Sequence, residues 1–240
     1  MPPEIEYVAW REFSTLYIAI DLAWFAVYLA ILLWFRKFIP VTVGLFAGVI
    51  YFLVDYGIFY HLTGSRTVEG ADPLWFLFWM SMTVGFTNFA WMWILLDRDR
   101  YAFEWSLLTI MGFFGVAIIS QAFGGEFPTI KAWRTTSSYH GYMMLILMAG
   151  YTMLIVRNVS GRYEHVNLLW LLAIGVGIQL SWEVILFITK VRPVELNSIA
   201  VRSLLETNLG MPYAWLIHRA IQSRWSPDST ANAAADAKYS

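Results

Sequence analysis

The 240-residue chain contains no cysteine, which excludes disulfides, thiol catalysis and thiolate metal sites. Charge is scarce too. Only 14% of residues are Asp, Glu, Lys or Arg, against about 25% in an average soluble domain. With 59% hydrophobic residues and a mean hydropathy of +0.56, the deficit marks a polytopic membrane protein whose partner is the lipid bilayer. A net charge of −1 gives no reason to expect a nucleic acid partner. The start, MPPEIEYVAWREF, lacks the basic region and small-residue cleavage site of a signal peptide, so the first apolar run is expected to be retained. No lysine falls in the middle of an apolar run, which argues against a retinal Schiff base. His61, His140, His165 and His218 show no HExxH or other close ligand spacing, so neither a zinc hydrolase nor any other metal or cofactor is expected. A Gly-rich phosphate loop, a YD/GxGD protease pair and an arginine-rich voltage sensor are absent as well.

What is present is a series of apolar runs. A membrane-spanning helix needs roughly 20 mostly apolar residues, and the runs at 14–35, 39–62, 74–96, 101–123, 138–156 and 167–189 meet that length. A seventh, 199–221, contains Arg202, Glu206, Asn208 and Pro212. The expected fold class is all-α, a transmembrane bundle of seven helices forming one domain over 1–225. The alternative is six spans plus an interfacial helix. The segment 226–240 is small and polar and reads as a disordered tail. A 3+1+3 repeat is expected to relate the first three helices to the last three. Asp55 and Glu183 then correspond, as do Phe89-Ala90-Trp91 and Tyr213-Ala214-Trp215. Basic residues in the short connections (Arg36/Lys37, Arg98/Arg100, Arg157/Arg162) and in the C-terminal flank lean toward the N-terminus outside and the C-terminus in the cytoplasm.

Four acids interrupt the runs: Asp21, Asp55, Glu183 and Glu206. A carboxylate at the centre of a membrane helix costs at least ~2.5–3.5 kcal/mol, so each needs a partner or a cavity. Counting along each run, all four lie about 10 Å below the same face, at 1.5 Å rise per residue. Carboxyls crowded into one low-dielectric site cannot all ionise, and one that keeps its proton can act as a general acid. Glu206 follows Arg202 by four residues, the spacing of an intrahelical ion pair, and Asp21 reads as a contact between helices. Asp55 and Glu183 have no basic residue within a helical turn, so they are the strongest functional candidates. Aromatics make up 18% of the chain. Many belong to interfacial belts, whereas Tyr51, Trp79 and Trp182 lie deeper. Aromatic faces attract cations, which suits carbocation chemistry as well as a hydrophobic or amphipathic small-molecule ligand.

Trp24, Tyr28 and Ala30 in AWFAVYLA, the basic turn Arg36/Lys37 and the acid at Asp55 resemble the opening of the seven-helix integral-membrane terpene cyclases of meroterpenoid pathways. The resemblance covers about the first quarter of the chain. It departs in the second helix, where that family has Trp-Glu and this chain has Val54-Asp55, while Trp182-Glu183 occurs in the sixth. It implies metal-independent, proton-initiated cyclisation of a prenyl lipid, with Asp55 matching the acid of the second helix and either Glu183 or Glu206 the late acid. Trp24, Tyr28, Trp79 and Trp182 are the expected cavity wall. The alternative is a small seven-helix transporter, of a solute or coupled to protons, with the acids at the repeat interface and Asn88 and Pro212 at matched hinge levels. Oligomeric state is left open.

Overall fold

The computed structural model describes residues 8–135, 139–161, 165–192 and 196–225. The tail after Trp225 lies outside the described residues. Seven helices follow the apolar runs: α1 Thr15–Trp34, α2 Phe38–Phe52, α3 Pro73–Leu96, α4 Ala102–Phe123, α5 Tyr139–Ser160, α6 Leu168–Ile188 and α7 Leu196–Trp225. The all-α bundle expected from sequence is the architecture observed. From Leu53 to Leu62 α2 continues as a π-helix, a wider winding that recurs at functional sites.

Local chemistry sets the helix ends. Ser14 caps α1 by accepting from the Tyr17 amide. Asp72 caps α3 by accepting from Leu74 and Trp75, with Pro73 in the first turn, where its missing N–H costs nothing. Asn167 caps α6 through the Trp170 amide. Each oxygen satisfies an amide that the first turn leaves open. Arg36, Arg98 and Lys190 stand just past α1, α3 and α6 with φ of 56°, 51° and 55°. This left-handed step closes a helix end and reverses the chain, although a side chain makes it costlier than glycine would.

Among the described residues, five helical segments are long and apolar enough to cross a membrane: Thr15–Trp34, Phe38–Leu62, Ala102–Glu126, Gly141–Ser160 and Leu168–Ile188. The chain is an integral, multi-pass membrane protein. Burial explains why α3 is less hydropathic. It carries Ser81, Thr83, Thr87 and Asn88 in the protein interior, where no lipid contact demands an apolar surface. Its tightest neighbour is α2. Gly44 and Gly48 make a G-x-x-x-G face there, and a Cβ on Gly85 of α3 would lie 2.8 Å from the Gly48 Cα. Small residues let the two backbones approach. At the other side of the bundle α6 packs on α7, with Gly175 against Asn208 and Met211. Elsewhere α1 leans on α4 and α5 on α7.

The loops at the N-terminal face carry a feature absent from the sequence reading, a three-stranded antiparallel sheet. Strands β1 Val8–Ser14, β2 Arg66–Glu69 and β3 Thr129–Thr135 run in the order β1-β3-β2. Side chains alternate between faces. Phe13, Ile130 and Ala132 are buried in the core below the sheet, with Val68 packed against it. On the opposite face Lys131 lies in register between Glu12 and Glu69, an arrangement of opposite charges that favours this register. By the same alternation Arg11, Arg66 and Arg134 belong to the inward face, and Arg66 is directly opposite Arg134. Like charges opposed across a ladder are destabilising. Their compensation lies below, in the helices.

Candidate functional site

Three of the four acids meet the sheet and the neighbouring loop. Asp55, in the π-helical part of α2, accepts from the Arg66 guanidinium at 3.1 Å. Glu206 of α7 accepts from Arg134 at 2.6 Å, and Glu183 of α6 is ion-paired with Arg192 beyond the end of the same helix. The expectation that Asp55 and Glu183 lack cationic partners is corrected. Their partners come 11 and 9 residues further along the chain, beyond any helical turn. Glu206, too, takes its close partner from β3 rather than from Arg202. With a guanidinium beside each of these carboxylates, repulsion among them no longer forces a proton onto one.

The cations carry the marks of burial. Desolvation brings Arg66 down to about 10, against the pull of Asp55. Burial works the same way at Arg134, but Glu206 and Asp55 outweigh it and leave this residue above its ordinary value. Gln179 connects the acids, donating to Glu183 at 3.3 Å and to Glu206 at 3.4 Å, while its oxygen accepts from Thr207 at 2.8 Å.

Beneath this charged roof is a cavity of about 310 Å³. Asp55 and Glu206 line it, with Arg11, Arg66, Arg134 and Arg202 above and Tyr51, Val54, Phe59, Met80, Trp182 and Leu209 among its walls. Trp182 is fixed from two sides. Its indole N–H donates to Asn88 at 2.5 Å, and its ring lies 3.8 Å from that of Phe113. The cavity falls at a break in the bundle. Among the described residues α2 packs on α3, and α7 on α6 and α5, but no substantial interface joins α2 to α5 or α7. Ile50 on the α2 side is 57% exposed, so the cavity is bordered by surface that faces the bilayer.

The remaining sequence candidates divide. Glu183 is 1% exposed and stands behind the cavity, reaching it through Gln179. Asp21 has no cationic partner among the described residues. It accepts from the Trp79 indole at 3.0 Å, a contact between α1 and α3. Asp21 and Trp79 line a recess of about 20 Å³ that shares Arg11, Met80, Val84, Trp182 and Leu186 with the main cavity. That volume suits one water molecule. Trp24 and Tyr28 lie elsewhere, in the contact of α1 with α3 and α4. Tyr28 is fully buried and accepts from Thr109 at 3.2 Å, and Trp24 fills the space over Gly112.

Sequence reasoning missed Arg11, Arg66, Arg134, Ser81 and Gln179. The alternation in Thr-Ile-Lys-Ala-Trp-Arg-Thr was the available signal for a strand that points an arginine inward. No group of three His, Asp or Glu among the described residues is placed to hold a metal ion. Comparison with known proteins gives no match, whether with a family model, a curated protein or a solved structure.

Proposed function

We propose that the chain is an intramembrane lipid enzyme that draws a prenyl-type substrate from the bilayer into the cavity between α2 and α5–α7 and isomerises it in the manner of a terpene cyclase. The observation that carries this reading is the cavity itself. It sets two carboxyls, Asp55 and Glu206, above an aromatic and aliphatic chamber beside a break in the bundle. A lipid chain reaches such a site without leaving the membrane, with its reactive end at the charged roof. Asp55, whose pair with Arg66 is the longer of the two at 3.1 Å, takes up a proton from the aqueous side of the roof and delivers it to an epoxide or olefin to start ring closure. Glu206, paired with Arg134, takes a proton back to end it. The net change is an isomerisation that consumes no oxidant. Tyr51, Phe59 and Trp182 face the chamber, where aromatic rings stabilise a passing carbocation. Glu183, through Gln179, orients Glu206. On the charge balance of the connections, this roof lies at the outer face.

The test is incubation of the purified protein in lipid nanodiscs with prenyl epoxides and olefins, followed by mass spectrometry and chromatography. An isomer of unchanged mass but altered retention is expected, and Asp55→Asn removes it while the protein stays monodisperse. A panel of substrates left unchanged by the wild-type protein contradicts the enzyme reading.

The two tight pairs, α2–α3 and α6–α7, stand on opposite sides of the cavity, an arrangement that favours a second reading as a transporter with alternating access. Proteoliposome uptake separates the two. Saturable flux of a solute that emerges chemically unchanged, lost in Asp55→Asn, supports transport.

A further inference from the structure

The roof of the cavity is not electrically balanced. Four arginines line it (Arg11, Arg66, Arg134 and Arg202) against two carboxylates, Asp55 and Glu206. Arg66 and Arg134 are accounted for by their ion pairs. Arg202 is 4% exposed and makes no hydrogen bond or close ion pair among the described residues. Its nearest acid, Glu206, is already held by Arg134. Arg11 likewise forms no ion pair among them. Among the described residues, these two positive charges therefore have no carboxylate of their own in the cavity lining, and buried charges are ordinarily paired.

Two more polar groups are unsatisfied at the same place. Ser81 Oγ and Arg66 Nε are both buried without a hydrogen-bond partner, and both residues line the cavity. Unpartnered buried donors in a native fold call for an occupant. The one missing here brings acceptor oxygens and about two negative charges.

We infer that the cavity takes a phosphate monoester headgroup on a long apolar chain. A monoester carries about −1.5 to −2 at neutral pH and offers three strong acceptor oxygens, which matches the uncompensated charge and the open donors. A carboxylate leaves one cation unpaired. Guanidinium groups suit phosphate because their planar forks donate two parallel hydrogen bonds. The chain runs down between Tyr51, Val54, Trp182 and Leu209 toward the break between α2 and α7, where it is continuous with the lipid. This inference rests on the lipid-binding reading above and narrows it to an anionic, prenyl-phosphate class of ligand.

The experiment measures binding of farnesyl monophosphate, farnesol and inorganic phosphate to the wild-type protein in nanodiscs of neutral lipid, by titration calorimetry. Farnesyl monophosphate is expected to bind at least about tenfold more tightly than farnesol, a step of about 1.4 kcal/mol, with inorganic phosphate far weaker than either. Arg202→Gln removes most of the advantage of the phosphate over the alcohol, while Arg202→Lys retains part of it. Arg11→Gln, at a half-buried residue on the sheet, gives a smaller loss and provides a variant that is safe for folding. Equal affinity for the phosphate and the alcohol overturns the headgroup inference and leaves the lipid site standing. Binding of inorganic phosphate as tight as that of the farnesyl ester overturns the lipid part, and absence of binding by all three overturns both.

Discussion

The two ends of the bundle use the same chemistry to different ends. At the N-terminal face three carboxylate–arginine pairs gather around one cavity, two of them bringing in residues from a sheet. At the opposite face Lys37 pairs with Asp99, and His218 meets Asp97 at 2.6 Å, joined there by Gln222 at 2.8 Å. The second set ties turns to helices. Its connections are short, with α1 reaching α2 in three residues and α3 reaching α4 in five. The first set stands where connections are long enough to form strands. Loop length thus decides where charged side chains can fold back over the membrane interior, and only one end has the chain to spare.

Substitutions at the two ends should therefore differ in size. Glu183→Gln removes the carboxylate that pairs with Arg192 at an almost wholly buried position, and breaking a buried pair on one side costs about 3–5 kcal/mol. It is expected to lower the melting temperature in detergent more than any other single charge change. Gly85→Leu comes next. The new side chain meets the α2 backbone at Gly48, and overpacking of this kind costs about 1–3 kcal/mol. Since the same contact sets the position of Asp55, substrate turnover should fall with it. Asp97→Asn weakens the anchor shared by His218 and Gln222 at about 1 kcal/mol, visible in melting but not in ligand binding.

Asp99→Asn is expected to be the smallest, within about 1 kcal/mol for a pair near the surface. It also has a pH signature. Burial opposes ionisation at Asp99, but the Lys37 ammonium and the Tyr101 amide outweigh it and hold the carboxyl below its usual range. Such a group adds stability above the unfolded-state value of about 3.9 and loses that contribution as pH falls through its lower folded value. The melting difference between wild type and Asp99→Asn should shrink as pH drops below about 4. If Asp99→Asn destabilises as much as Glu183→Gln at pH 7, the contrast between the two ends is wrong.

The helices were legible because lipid demands long apolar runs, and each run states its own limits within a few residues. A fixed rise per residue led to the expectation of one level for Asp21, Asp55, Glu183 and Glu206, and the structure pairs Asp55, Glu183 and Glu206 with arginines at the sheet end of the bundle. The partners were not legible. Arg134 lies 72 residues from Glu206, and nothing local in either segment connects them. Asp55 and Arg66 are closer in sequence, but the chain must leave its helix and enter a strand before they meet. The sheet itself was hidden because its strands are four to seven residues long and carry inward arginines where a simple apolar alternation would be looked for. Trp24 and Tyr28 teach the converse. Their pattern resembled a cavity wall, and packing uses them to join α1 to its neighbours.

The central claim is that a lipid chain occupies the cavity at one end of the bundle. Photolabelling with a diazirine analogue of farnesol in nanodiscs, followed by peptide mapping, tests it most directly. Labels on peptides containing Tyr51, Phe59 or Trp182, competed by unlabelled farnesol, are the predicted result. Labels confined to outward-facing residues such as Phe103, Val159 and Leu169, with no competition, would contradict it.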